Sequence, residues 1–225
     1  MNKRNYQKEL DKLIEGFQAE GRRPRLLIHS CCAPCSSYVM EYLSRYFSLT
    51  MFFYNPNMDS RAEYDKRAAE LERLIGEMNR EAADDAKIRL IVADYDPEHF
   101  EEIALGHEND PERGTRCHRC YELRLRKTAE YMHEHDEEYD FFATTLTLSP
   151  LKDADVLNDI AAQLAKQYGT PALATDFKKK NGYKRSIELS REYGLYRQNY
   201  CGCRFSKEAV NADKTPGGKA RVAEG

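Results

Sequence analysis

Apolar positions along this chain change period several times before about residue 206, and each change predicts an element. Residues 1–23 carry Leu10, Leu13, Ile14 and Phe17 at helical spacing and predict an amphipathic helix that covers one face of a core. Leu26, Leu27 and Ile28 form an unbroken apolar run that reads as a buried strand of a parallel sheet. Val39, Met40, Leu43 and Phe47 return to helical spacing, with Ser36 or Ser37 as the expected cap and Pro34 as a stop before it. Residues 49–54 are rich in β-formers and predict a second strand, closed by the turn Asn55-Pro56-Asn57. A helix over 62–81 follows, with Leu71, Leu74, Ile75 and Met78 on one side, then a third strand over 88–93. A short helix at 99–103 leads into a polar loop over 106–116, which delivers Cys117 and lets Cys120 open a helix with Leu123, Leu125, Ala129 and Met132. A fourth strand over 140–145 and a helix over 153–168 complete the alternation. Strand and helix alternating in this way predict an α/β fold, a Rossmann-like parallel sheet flanked by helices with right-handed crossovers. Residues 1–206 read as a single domain, and 207–225, with few apolar side chains, are expected to be disordered.

Composition narrows the function classes. A formal net charge of -3 over 225 residues excludes a uniformly polyanion-binding chain, so contact with nucleic acid must come from a local basic patch. No apolar run is long enough to span a membrane, and the first residues lack the apolar core of a signal peptide, so no membrane partner and a cytoplasmic location are expected.

The cysteines change the picture most. There are 7, grouped as Cys31/Cys32/Cys35, Cys117/Cys120 and Cys201/Cys203. In a reducing compartment such groups bind metal or perform redox chemistry more often than they form structural disulfides. Cys31, Cys32 and Cys35 follow a buried strand, where ligands bind in open α/β sheets. With the Cys-x-x-Cys pair at 117 and 120 they supply thiolates for tetrahedral zinc or for a [4Fe–4S] cluster, and spacing leaves both open. His118 is expected to point away. Cys201-Gly202-Cys203 would close a tight ring if oxidised, which suits a labile, reversible dithiol. These residues suggest a reductase, with a sulfur-transfer enzyme and a Cys-rich binding module as the other readings. Between 176 and 200, Lys178, Lys179, Lys180, Lys184, Arg185, Arg191 and Arg197 interleave with Tyr183, Tyr193, Tyr196 and Tyr200. That stretch is either a solvated face, with the RNA surface then expected around Arg113, Arg116, Arg119, Arg124 and Arg126, or itself an RNA surface, in which basic residues including Lys184, Arg185 and Arg197 hold phosphates and Tyr183 or Tyr196 stacks on a base.

Taken in order, Leu27-Ile28-His29-Ser30-Cys31-Cys32-Ala33-Pro34-Cys35, Phe53-Tyr54-Asn55-Pro56-Asn57, Arg116-Cys117-His118-Arg119-Cys120-Tyr121, Ala143-Thr144-Thr145-Leu146 with Leu148-Ser149-Pro150, Asp176-Phe177-Lys178-Lys179 and Leu195-Tyr196-Arg197-Gln198-Asn199-Tyr200-Cys201-Gly202-Cys203 resemble the successive motifs of the QueH family of epoxyqueuosine reductases. Asn57-Met58-Asp59-Ser60 departs from the family's usual His-Pro ending. The resemblance implies an adenine nucleotide α-hydrolase type of fold and a cobalamin-independent reduction of the epoxide of epoxyqueuosine in tRNA, the last step of queuosine formation. By resemblance Cys31, Cys32, Cys117 and Cys120 hold a [4Fe–4S] cluster, Cys201 and Cys203 form the redox-active pair, and Cys35 serves a neighbouring metal ion, iron. An external electron donor is implied and not named. Nucleotide-using relatives of this fold carry a glycine-rich loop after the first strand. Cys31-Cys32-Ala33-Pro34 stands there instead, so ATP is not expected as a co-substrate. The alternatives are a zinc-stabilised RNA-binding module and an ATP-dependent tRNA sulfurtransferase.

Overall fold

The computed structural model describes residues 4–80 and 82–213. Asn5 opens α1 (Tyr6–Ala19) by accepting a hydrogen bond from the Lys8 amide, and the stripe Leu10, Ile14 and Phe17 is buried. Then follow β1 (Arg25–Ser30), α2 (Ala33–Leu43), β2 (Ser48–Phe53), α3 (Arg61–Met78), β3 (Arg89–Val92), α4 (Pro97–Ala104), α5 (Thr115–Glu134), β4 (Phe141–Thr144), α6 (Ala154–Tyr168), α7 (Gly182–Glu192) and α8 (Arg204–Asp213). The four strands form one sheet in the order β3-β2-β1-β4. Every pairing is parallel, so the fold is α/β as expected.

Strand β1 lies in the interior of the sheet, hydrogen-bonded to β2 on one edge and β4 on the other. Its alternating side chains build both halves of the core. Leu26 and Ile28 point into the layer that holds Leu10, Val39, Leu43, Leu71 and Leu74. Leu27 points into the opposite layer with Leu125, Ala129, Phe142 and Leu157. Full burial of such side chains stabilises by about 1.5–3 kcal/mol each. This anchors the strand whose carboxyl end carries Cys31.

Pro34 does not stop the chain. Cys32 is the N-cap of α2 and Pro34 sits in its first turn, where a missing N–H removes no helical hydrogen bond. Ser36 and Ser37 are therefore inside the helix and do not cap it: Ser36 Oγ bonds back to the Cys32 carbonyl at 2.9 Å, and Ser37 Oγ to the Pro34 carbonyl at 2.9 Å. Helix α5 likewise starts earlier than the polar loop suggests. Gly114 caps it, and the Cys117 amide already bonds to the Gly114 carbonyl at 2.9 Å, so both cysteines of the Cys-x-x-Cys lie in its first turns. Helix α3 ends at Met78, and residue 81, the expected end of that helix, lies outside the described residues. Residues 207–213, expected to be disordered, belong to α8, and 214–225 lie outside the described residues. Among the described residues no helix is long and apolar enough to cross a membrane.

Candidate metal and redox centre

The parallel sheet brings the carboxyl end of β1 beside those of β2 and β4, and the first cysteine group sits there. The Sγ atoms of Cys31, Cys32 and Cys35 all lie within 4.8 Å of one another, a group able to hold a metal ion. Cys35 reaches this group because α2 begins at Ala33 and turns its first coil over the strand end. Thr145 ties Cys31 to the end of β4, accepting from its amide at 3.3 Å and donating to its sulfur at 3.6 Å. Hydrogen bonds from Cys32 and Cys35 hold the Cys31 thiol well below the ordinary thiol range, against the effect of burial. The same contact raises Cys32 to about 11. One of the three is thus poised as a thiolate, the form that ligates metal.

Behind this group β1 is locked by a buried histidine. His29 Nε2 lies 3.1 Å from the Tyr54 carbonyl and Nδ1 lies 3.0 Å from Thr144 Oγ1. Burial lowers its pKa to about 3, with the Arg124 charge adding to the effect, so the ring is neutral. Neutrality assigns its one proton: Nε2–H donates to the carbonyl, and Nδ1 accepts from the Thr144 hydroxyl, which in turn accepts from the Leu146 amide at 3.1 Å.

Cys117, Cys120, Cys201 and Cys203 meet at one cavity, together with Phe100, Tyr121, Arg124 and Lys152. Burial raises the Cys117 thiol and pushes Cys120 up to about 11. Cys201 and Cys203 face each other with sulfurs 3.4 Å apart, both unpaired. The Cys203 thiol donates to Cys201 and holds it well below the ordinary thiol range, while Cys203 is raised by the same contact. The loop is held at three points. Asp59 N donates to the Gly202 carbonyl at 2.9 Å, Arg67 Nη1 to the Cys201 carbonyl at 3.4 Å, and the Cys201 amide to Ser206 Oγ at 3.2 Å. Asp59 also receives the Tyr200 hydroxyl at 3.2 Å and pairs with Lys207, so the position that departs from the family's motif anchors this loop. Ser60 caps α3.

Three cations surround these sulfurs: Arg67 and Lys152, which sequence reasoning did not single out, and Arg124, expected only as part of an alternative RNA surface. Arg67 is almost completely buried, paired to Glu63 at 2.7 Å, and its neighbours include Cys32. Arg124 is buried among Cys120, Cys31 and Cys201. Burial opposes the Lys152 charge, but Cys201, Tyr121 and Cys31 outweigh it and hold its pKa above the usual lysine value. Arg67 and Arg124 had a legible signal: each occupies the buried stripe of its helix, Arg67 with Tyr64, Ala68 and Leu71, and Arg124 with Cys120, Tyr121 and Thr128. Lys152 had none, because it comes from the turn between β4 and α6.

Arg67 Nη2 is buried with no hydrogen-bond partner among the described residues. An unpartnered guanidinium nitrogen close to thiolates, with two further cations nearby, suits an anionic thiolate-bound group. The donor set is soft sulfur, which fits iron–sulfur or zinc chemistry better than a hard cation.

The residues of the 176–200 stretch expected to touch RNA are placed elsewhere. Lys184, Arg185, Tyr196 and Arg197 do not line the cysteine cavity. Arg185 is held by Glu41 at 2.6 Å, Glu192 at 2.7 Å and Glu188 at 3.4 Å, so its guanidinium is committed to carboxylates. The Tyr196 amide donates to Glu70 Oε1 at 2.7 Å, and Lys66 covers its ring at 3.5 Å. Arg197 is exposed and donates to Ser190 Oγ at 3.3 Å, and Lys184 is exposed.

Residues 26–209 match a family model described as epoxyqueuosine reductase QueH. The range includes every cysteine of the centre. A protein named epoxyqueuosine reductase QueH from Staphylococcus epidermidis is 40% identical over 204 residues, which cover 90% of this chain and 84% of that one. Another of that name from Streptococcus pyogenes is 38% identical, covering 93% of this chain and 80% of that one. A third, from Thermotoga maritima, is 32% identical over 80% of this chain and 89% of that one.

Proposed function

The chain belongs to the epoxyqueuosine reductase QueH family, and from that membership we propose that it removes the epoxide oxygen of epoxyqueuosine in tRNA to give queuosine. The observation that carries this reading is the convergence of Cys117, Cys120, Cys201 and Cys203 with Lys152 on one cavity. Removing an epoxide oxygen to leave an alkene consumes two electrons and two protons and releases one water. The Cys201 thiolate and the Cys203 thiol, on closing to a disulfide, release the two electrons and one of the two protons, and the second proton comes from solvent.

In this reading Cys31, Cys32, Cys117 and Cys120 hold a [4Fe–4S] cluster, and Cys35, which shares the thiol group of Cys31, serves a second metal ion. The bound cluster and metal supply electron transfer and a Lewis-acidic position. The chain supplies the rest. Arg67 and Arg124 hold counter-charge close to the thiolates, Lys152 presents an ammonium where the epoxide oxygen leaves, and the walls formed by Phe100 and Tyr121 exclude water. An external donor restores the dithiol after each turnover.

Complementation tests the reading. In cells that lack their own epoxyqueuosine reductase, expression of this chain restores queuosine in bulk tRNA, and the Cys117→Ser and Cys201→Ser variants do not. Persistence of epoxyqueuosine with the wild-type chain expressed and folded overturns it.

A further inference from the structure

Next to the cysteine cavity lies a larger one of about 650 Å³. Its volume falls in the ~300–1,000 Å³ range of sites for small organic ligands. The segment entering α1, the start of α5, the start of α6 and the turn at 176–179 build its walls, and they contribute Arg4, Arg113, Lys152, Lys178 and Lys179. Lys152 lines both cavities, so the two adjoin at its side chain.

Acidic groups also line it, and each has a structural task. Asp153 Oδ1 accepts the Asp155 amide at 2.8 Å and caps α6. Asp155 faces the Tyr6 hydroxyl. Asp176 holds Lys178 at 2.9 Å, and Glu9 outside the cavity holds Arg4 at 2.7 Å. The remaining cations are differently placed. Lys179 is exposed, Arg113 is exposed with its guanidinium donating to the Pro150 carbonyl at 3.4 Å, and Lys152 faces thiols and a phenol. Arg113 sits at φ 72° with its amide on Cys117 Sγ at 3.4 Å, which fixes its backbone beside the thiol site. The result is a concave, net positive chamber beside the cysteine site.

We infer that this chamber binds RNA phosphodiesters: Arg113 and Lys179 hold the backbone of the loop that carries the modified nucleotide, at the side of Lys152 away from the cysteines. The inference rests on the reading of the chain as an enzyme acting on tRNA. It moves the phosphate-binding surface from the Lys184–Arg185 segment, where Arg185 is held by glutamates, to the cavity that shares Lys152 with the thiol site. A base that must reach a buried centre has to be splayed from its stack, and backbone contacts near the entrance hold it there.

The test uses the anaerobically loaded protein and an anticodon stem-loop RNA that carries epoxyqueuosine. Arg113→Ala combined with Lys179→Glu changes exposed side chains, and the cluster absorption is expected to stay as in the wild type. Affinity for the RNA is expected to fall on the order of tenfold. The slope of log affinity against log salt is expected to flatten by about 0.7 for each single-strand phosphate that the variant no longer neutralises. KM rises while kcat holds. Wild-type affinity and salt slope in this variant, with the wild type binding and reducing the RNA, overturn the inference and leave the proposed function standing. Loss of affinity in Lys184→Ala/Arg185→Ala but not in Arg113→Ala/Lys179→Glu overturns it too. Displacement of the RNA by AMP at equal concentration assigns the chamber to a free nucleotide and overturns it. Failure of the wild-type protein to bind or reduce the RNA removes the proposed function and this inference together.

Discussion

Gly202 separates the two cysteines of the redox pair at φ 116°, a backbone conformation that L side chains rarely adopt. It is also packed tightly. A Cβ added there would lie 2.6 Å from Met58 Sδ, 3.3 Å from Arg67 Nη1 and 3.4 Å from Asn57 Nδ2. Met58 and Arg67 are both buried, and Arg67 is held by Glu63, so neither withdraws freely. Gly202→Ala therefore meets two costs: roughly 1–3 kcal/mol for the strained backbone and roughly 1–3 kcal/mol for overpacking. If the whole fold carries the sum of about 2–6 kcal/mol, the melting temperature falls by roughly 4–24 °C, at about 2–4 °C per kcal/mol for a chain of this size. If the loop yields instead, the hydrogen bond from Asp59 to the Gly202 carbonyl breaks, and Cys201 and Cys203 become easier to alkylate. Thermal denaturation and timed alkylation read by mass spectrometry report the two routes separately. A variant that melts within about 1 °C of the wild type and alkylates at the wild-type rate refutes the packing described for this loop.

Replacing Cys117 or Cys120 with Ser is expected to remove bound iron and activity together, whereas Cys201→Ser keeps the iron and loses multiple turnover; iron and acid-labile sulfide assays with single- and multiple-turnover kinetics separate the two. Arg67→Leu leaves Glu63 without its buried partner and removes a cation near Cys32, so stability falls by about 3–5 kcal/mol in denaturant titration, and the cluster's reduction potential falls in a redox titration. Glu70 has its carboxylate pKa lowered by hydrogen bonds from Arg73, against burial, and it holds the Tyr196 amide. A depressed carboxylate stabilises the fold above the ordinary glutamate pKa and loses that contribution as pH falls through the folded value. The gap in melting temperature between the wild type and Glu70→Gln, in the same metal-loading state, is therefore expected to be full at neutral pH and to close below about pH 4.3; a gap that is constant over this range contradicts the assignment.

Strands β1 and β2 were readable because burial on both faces leaves an unbroken apolar run, as in Leu26-Leu27-Ile28 and in residues 49–54. The cysteine groups were readable by spacing, and the sheet brings Cys31 to the end of its interior strand as that spacing suggests. Pro34 misled because proline marks a stop and a first helical turn alike, and only the packing of α2 over β1 decides which. The start of α5 was hidden by the polar residues before it, since Gly114 caps a helix whose first turn, carrying Arg116 and Cys117, is not apolar. The basic stretch before Cys201 was legible only as charge. Charge is visible in a sequence, but its partners are not, and Glu41, which holds Arg185, comes from a helix 144 residues away in the chain. Lys152 and the chamber it joins arise from turns distant in sequence, and no local pattern announces them.

The central claim is tested most directly by the anaerobically reconstituted protein, an external reductant and an RNA stem-loop bearing epoxyqueuosine, with the nucleosides analysed by mass after digestion. The predicted result is loss of one oxygen atom per nucleoside with appearance of queuosine, dependent on the reductant and on bound iron. An iron- and sulfide-loaded protein that binds this RNA and leaves the epoxide intact over many hours with reductant present would contradict the account.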